Sequence, residues 1–314
     1  MHPSSIPIPR HIQDYLDWLD IERGLSSKSQ ENYARFIKKF VDWLATTGQT
    51  DLKPHELSPE LIRDYRVFLS RSEHATKTTA LKKNTQNYYL IALRSLLNYF
   101  ADRDITSLPA EKIKLARDKG DRAVRFLTFE QVQNLLLACD LSVPAGLRDR
   151  AILELLFSTG LRIAELVALN RDQIPLPSKE KDVEIGITGK GGRVRTVYIS
   201  ERALLWLKKY LESRSDIELP LFINYRNYSG ESKRLTARSI QTIIKTAAKK
   251  SGLPITTTPH VLRHSFATDM LTKGVDIRIL QEFLGHKNIA ATQIYTHVTN
   301  RQLKEIHRKF HGGK

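Results

Sequence analysis

Pro259-His260-Val261-Leu262-Arg263-His264-Ser265-Phe266-Ala267-Thr268 is the stretch whose reading decides the most. A helix that begins near His260 sets His260 and Arg263 three positions apart on one face. They then stand beside a helix N-terminus, where free N–H groups and the helix dipole favour an anion. Leu262 and Phe266, four apart, turn together toward a core. The histidines at 260 and 264, with His286 further on, also raise the question of zinc. No glutamate follows in the His-Glu-x-x-His manner, so no metal is expected.

Downstream, Leu284-Gly285-His286-Lys287 closes a short helix, and Gln293-Ile294-Tyr295-Thr296-His297-Val298 follows. A tyrosine hydroxyl, with a pKa near ~10, is a poor nucleophile until cations or a base surround it. Upstream, Ser158-Thr159-Gly160-Leu161-Arg162-Ile163-Ala164-Glu165-Leu166 puts Arg162 at a helix start. Glu165 follows within one turn, close enough to orient the guanidinium. Val183–Thr188 and Val194–Ile199 alternate like paired strands around Gly189-Lys190-Gly191-Gly192, which predicts a β-hairpin. Lys190 at its tip is a group that can hand a proton to a leaving oxygen. The Gly-x4-Gly-Lys-Ser/Thr order of a P-loop is absent, and no nucleotide cofactor is expected.

These residue types suit one chemistry. Breaking a phosphodiester without a metal needs fixed cations beside the non-bridging oxygens. Arginine serves best, because its planar fork grips two oxygens and never loses its proton. A nucleophile must attack and a general acid must protonate the departing oxygen.

The whole-chain properties agree. The 314 residues are 41% hydrophobic and 27% charged, which suits two packed domains rather than disorder. Fifty Lys+Arg against 34 Asp+Glu give a net charge of +16, pointing to a polyanionic partner. Residues 1–119 carry 19 Lys+Arg and 15 Asp+Glu, net +4, whereas residues 120–314 carry 31 and 19, net +12. No apolar run reaches the ~18–20 residues of a membrane span. The Met1–Arg10 segment lacks the order of a signal peptide, and Cys139 is the sole cysteine. Location in the cytoplasm, without disulfides or membrane contact, is the expectation.

The first hundred residues predict four helices. Ile12, Tyr15, Leu16 and Leu19 mark the first, which Gly24 ends. Ser26 or Ser27 caps the second, with Tyr33, Phe36, Ile37, Phe40, Val41 and Leu44 apolar. Ser58 opens the third, and the fourth runs from about Lys82 to Ala101. The expected fold class is mainly α with a small antiparallel β-sheet. A four-helix bundle (1–106) is followed by a basic linker (107–125) and a mixed α+β domain (126–314).

The ordered series Arg162, Lys190, His260, Arg263, His286 and Tyr295 closely resembles the tyrosine recombinases, the phage-integrase family. Leu262–Thr268 and Gln293–His297 look most like its Xer branch. The resemblance covers nearly the whole chain, the N-terminal helices resembling the core-binding domain. It implies that Arg162 and Arg263 grip the scissile phosphate, with His260 and His286 adding hydrogen bonds. Lys190 becomes the general acid toward the 5′-oxygen, Tyr295 forms a 3′-phosphotyrosine, and Glu165 supports the site. It further implies strand exchange through a Holliday junction, with no cofactor, on double-stranded DNA. The assembly implied is a homotetramer, or a heterotetramer with a related recombinase, on two duplexes, and a DNA translocase is a further partner. The tail beyond Tyr295, with Leu303, Ile306 and Phe310 at helical spacing, would dock on a neighbouring subunit.

For the grip on DNA, Lys82, Lys83 and Thr85 open the fourth helix, and Thr236, Arg238 and Gln241 open another suited to a groove. Arg193 and Arg195 flank the hairpin and are expected on phosphates. Resolution of chromosome or plasmid multimers is the function implied. The rivals are a mobile-element integrase or transposase of the same chemistry, a type IB topoisomerase, and a catalytically inactive DNA-binding factor.

Overall fold

The structure is a computed structural model that describes residues 1–74, 77–116, 125–175, 183–189, 192, 194–225, 233–285 and 292. They fall into two compact units, Met1–Asp121 and Arg122–Lys314.

The first unit is a bundle of α1 (Ile12–Ile21), α2 (Ser27–Thr46), α3 (Pro59–Arg71) and α4 (Lys83–Asp102). Helix α3 starts where the Ser58 hydroxyl accepts the Leu61 N–H at 3.2 Å, with Pro59 in the first position. Ser26 precedes α2 in extended backbone but makes no cap, its hydroxyl meeting that of Ser29 instead. Aromatic packing dominates the core. Tyr65 lies edge-on to Phe40, centroids 4.9 Å apart, and 5.1 Å from Trp43. Burial pushes the Tyr65 phenol well above the usual tyrosine range, and its hydroxyl has no hydrogen-bond partner among the described residues.

Two features differ from the sequence expectation. A short antiparallel pair, β1 (Glu73–His74) and β2 (Lys77–Ala80), joins α3 to α4 where no alternating run announces strands. Part of the stretch expected as a linker belongs to this unit. Ile113 is buried in its core, and the Asn87 amide trades hydrogen bonds with the Ala116 backbone at 2.9 and 3.0 Å. Leu108, Ala110, Ile113 and Leu115 are too few for a helical face, yet they seat a segment with a single 3-10 turn at Ala110–Lys112. Residues 117–124, with Arg117, Lys119 and Arg122, lie outside the described residues.

The second unit is built around α6 (Pro144–Thr159), whose Ala151, Ile152, Leu153, Leu155 and Leu156 are all buried. So many buried apolar residues on one helix require other elements packed around most of it, and its buried Arg150 and Glu154 pair with each other. Around it stand α5 (Phe129–Leu137), α8 (Glu201–Glu212), α9 (Ala237–Lys250), α10 (Pro259–Thr272) and the hairpin of β3 (Val183–Thr188) with β4 (Val194–Ile199). The hairpin has the bounds the alternation predicts, closing on the Thr188–Val194 pair. Helix α7 (Ile163–Ala168) follows α6 after Gly160, which is left-handed at φ +60°. A Cβ on Gly160 would come within 2.5 Å of the Phe266 ring, so α10 packs flush against this turn. Leu262 joins the main core, whereas Phe266, Ala267 and Leu271 form a second cluster with Leu280 and Leu284 of α11 (Ile277–Leu284). Each of these leucines, and Phe266, contributes about 1.5–3 kcal/mol on burial. That packing is what fixes the end of α11 relative to α10.

Candidate active site

Arg162 occupies the N-cap of α7, and Glu165 reaches back to it. The Glu165 carboxylate accepts the Arg162 backbone N–H at 2.8 Å and one Nη at 3.0 Å. Arg234 donates to the carbonyls of Val167 (2.7 Å) and Leu169 (3.0 Å), holding the far end of this one-turn helix. Glu165 is buried, and burial alone raises its pKa. The contacts with Arg195 and with Arg162 outweigh that and hold its carboxyl down at about 2.

Three arginines from three elements meet three consecutive carbonyls at the C-terminal end of α11. Arg195 of β4 donates through Nε to Phe283 at 3.2 Å. Arg263 of α10 donates to Leu284 at 2.6 Å and also to Gly160. Arg162 donates to Gly285 at 3.2 Å. The partial negative charge of a helix C-terminus suits such a collar of cations. Gly285 closes α11 at φ +60°, and a Cβ there would come within 2.8 Å of the Arg195 side chain. Only glycine fits, at the residue immediately before His286.

Helix α10 begins as the sequence predicts, with the Thr258 hydroxyl accepting the Val261 N–H at 3.3 Å. His260 in its first turn is exposed, whereas Arg263 is buried. His264 is half-buried. Burial lowers its pKa, and the neighbouring His260 and Arg263 lower it further, so its neutral form is favoured. Among the described residues, no three His, Cys, Asp or Glu side chains cluster in a way that could hold a metal.

Arg162, Glu165 and Arg263 are therefore brought together around the end of α11, with His260 on the open side of α10. Lys190, Arg193, His286 and Tyr295, and the tail that follows, lie outside the described residues.

Of the residues expected on DNA, Lys82 and Lys83 are exposed at the start of α4. Thr85 lines a groove of ≈850 Å³ between α2 and α4, together with Asn32, Arg35, Lys39 and Tyr88. The α2 residues of that groove are absent from the sequence reading, although Asn32, Arg35 and Lys39 recur at helical spacing. Arg238 and Gln241 are exposed on α9, while the Thr236 hydroxyl caps that helix by accepting the Ser239 N–H at 3.1 Å. Arg195 departs from expectation. Its side chain is 13% exposed and is held by Glu165 and the Phe283 carbonyl rather than reaching outward. A signal existed: Arg195 shares a strand face with Val197 and Ile199, both buried. A guanidinium on an inward face needs a buried partner.

Comparison with known proteins identifies the family. Residues 12–104 match the phage integrase N-terminal SAM-like domain, and residues 125–302 match the phage integrase family. Tyrosine recombinase XerD of Listeria monocytogenes serotype 4b is 36% identical over 306 residues, covering 96% of this chain and 98% of its own. Tyrosine recombinase XerC of Pelotomaculum thermopropionicum is 34% identical over 314 residues, covering 96% and 97%. The fold resembles that of the XerH site-specific recombinase bound to its palindromic difH substrate in a post-cleavage complex. The TM-score is 0.69 at 22% identity, over 98% of this chain and 91% of that one. With more than half of its length matched by the catalytic family and relatives above 30% identity nearly end to end, the chain belongs to the phage integrase family of tyrosine recombinases.

Proposed function

We propose that this protein cleaves and rejoins duplex DNA at specific sites through a covalent link to Tyr295, acting as an Xer-type recombinase that resolves chromosome or plasmid multimers. One observation carries the reading: the guanidinium groups of Arg162 and Arg263, from α7 and α10, converge on adjacent carbonyls at the end of α11. Two forks held side by side are what a charged phosphodiester requires in the absence of a metal.

In this reading the Tyr295 phenol oxygen attacks the scissile phosphorus and loses its proton, with His260 placed to assist. Arg162 and Arg263 hold the non-bridging oxygens, and His286 adds a hydrogen bond. The bond to the 5′-oxygen breaks as Lys190 protonates it, leaving a 3′-phosphotyrosine. A 5′-hydroxyl of another strand reverses the step. One ester replaces another, so no nucleotide is consumed. Two such rounds pass through a Holliday junction. The N-terminal groove, with Arg35 and Lys39, the exposed Lys82 and Lys83 at the start of α4, and the exposed Arg238 and Gln241 of α9 supply the grip on DNA. The active assembly is a tetramer, of this chain alone or with a related recombinase, working in the cytoplasm under the control of a DNA translocase.

A duplex carrying a nick just beyond the cleavage site releases a short 5′ fragment on cutting and traps the covalent complex. Incubation with such DNA, found by footprinting around the encoding gene and the replication terminus, is expected to yield a denaturation-resistant adduct. Tyr295→Phe retains DNA binding and yields none. Sequence-independent relaxation of supercoiled DNA by a monomer would point instead to a topoisomerase. Binding without any adduct would mark an inactive DNA-binding factor.

A further inference from the structure

Arg195 stands on the inward face of β4, in step with Val197 and Ile199. It gives one Nη to each Glu165 carboxylate oxygen, both at 2.8 Å. Arg162 touches the same carboxylate through a single Nη, at 3.0 Å, and its side chain is 33% exposed against 13% for Arg195. One buried carboxylate thus faces two guanidinium groups, and the less exposed arginine has the two-pronged share. The three side chains sum to one positive charge. Without Arg195 they sum to zero, with Glu165 left to close on Arg162 alone.

We propose that Arg195 is a positioning residue for phosphate cleavage: by occupying both oxygens of Glu165 it leaves Arg162 with an uncompensated charge for the scissile phosphate. Arg162 needs Glu165 for orientation, because the carboxylate fixes the guanidinium at the start of α7. Unopposed, the same carboxylate would cancel the charge it orients. Coulomb interactions are strong where water is excluded, so the balance between the two pairs decides how much of the Arg162 charge a phosphate meets. The Nε contact with the Phe283 carbonyl keeps Arg195 at this post, beside the end of α11. The proposal rests on the reading of Arg162 as a phosphate ligand.

Single-turnover adduct formation on the nicked duplex, with folding monitored by thermal unfolding, tests it. Arg195→Met is expected to slow adduct formation by roughly ten- to a hundredfold, less than Arg162→Ala does. Adding Glu165→Gln to Arg195→Met should recover most of that loss, because the carboxylate that would clamp Arg162 is then neutral. A mere brace would behave in the opposite way, the second substitution deepening the first. Wild-type rates for Arg195→Met, or a double variant no faster than the single one, overturn the proposal. If Arg162→Ala cleaves at full rate, the phosphate reading itself falls; if it is inactive and the double variant shows no recovery, only the proposal falls. Should Arg195→Met not fold, Arg195→Lys decides. It keeps the positive charge though not the fork, and is expected to cleave at least about tenfold faster than Arg162→Ala, whereas a folded Arg195→Lys as slow as Arg162→Ala overturns the idea.

Discussion

Glu154 and Glu165 are both buried in the second unit, and each lies between two arginines. Glu154 receives Arg150 Nε at 3.0 Å and Arg202 Nε at 2.8 Å. Arg150 also stacks on Trp206, 4.5 Å from the ring centroid, and donates to the Leu136 carbonyl, while Arg202 donates to Gln133. The Arg150–Glu154 bond lies within α6, and the other contacts tie α5, α6 and α8 to one another. Around Glu165 the same residue types join α7 and β4 to the end of α11, and a third arginine, Arg263, meets the neighbouring carbonyl. Both clusters leave one arginine partly exposed. What differs is its company: Arg202 stands beside packing helices, Arg162 beside Arg263 and the chain leading to His286. A buried Arg–Glu pair is therefore no sign of function in itself; what sets the second cluster apart is the convergence of three guanidinium groups on one helix end.

The contrast breaks most visibly by substitution. Arg162→Ala should lower single-turnover cleavage by about 10²–10³-fold or more with little loss of stability. Arg150→Ala should do the reverse, costing about 3–5 kcal/mol in denaturant unfolding and leaving cleavage per folded molecule unchanged. A swap of these outcomes would show that the clusters have been assigned the wrong way round.

Salt sharpens the separation between units. DNA affinity should fall linearly on a log–log plot of salt concentration, and Lys82→Ala with Lys83→Ala should reduce the slope by about two. A flat dependence, or an unchanged slope, would argue against a phosphate-dominated interface at α4.

Acid should act on the Glu165 cluster in a defined window. The folded pKa is about 2, below the ordinary glutamate value, so the unfolded chain takes up the proton first on acidification. Stability from these contacts is full above the usual glutamate range and is lost as pH falls through about 2. Glu165→Gln should flatten that part of the profile, measured by unfolding against pH; an unchanged profile would remove the cluster as its cause. The smallest expected effect lies in the first unit. Tyr65→Phe removes a buried hydroxyl with no partner among the described residues and should stabilise by about 1 kcal/mol, with cleavage unaffected.

Much of the fold was legible because it is periodic. The helices carry apolar stripes, Ser58 caps as its sequence position suggests, and the β3–β4 hairpin alternates in step with its buried face. The pair β1–β2 is too short for any period, and residues 107–116 pack through four unevenly spaced apolar side chains. Within the site, Arg162 and Glu165 were readable as a local pair three positions apart. Arg195 was not, since its partners are 30 and 88 positions distant and no periodicity reports such contacts. Its inward phase on β4 was the one clue. Thr236 caps α9, the local bond that threonine at a helix start ordinarily makes.

The most direct test is to find the residue that becomes joined to DNA. Protease digestion of the trapped adduct, followed by mass mapping of the nucleotide-bearing peptide, should place the phosphate on Tyr295 within Gln293-Ile294-Tyr295-Thr296-His297. A phosphate on any other side chain, or strand cleavage without any attached peptide, would contradict the account.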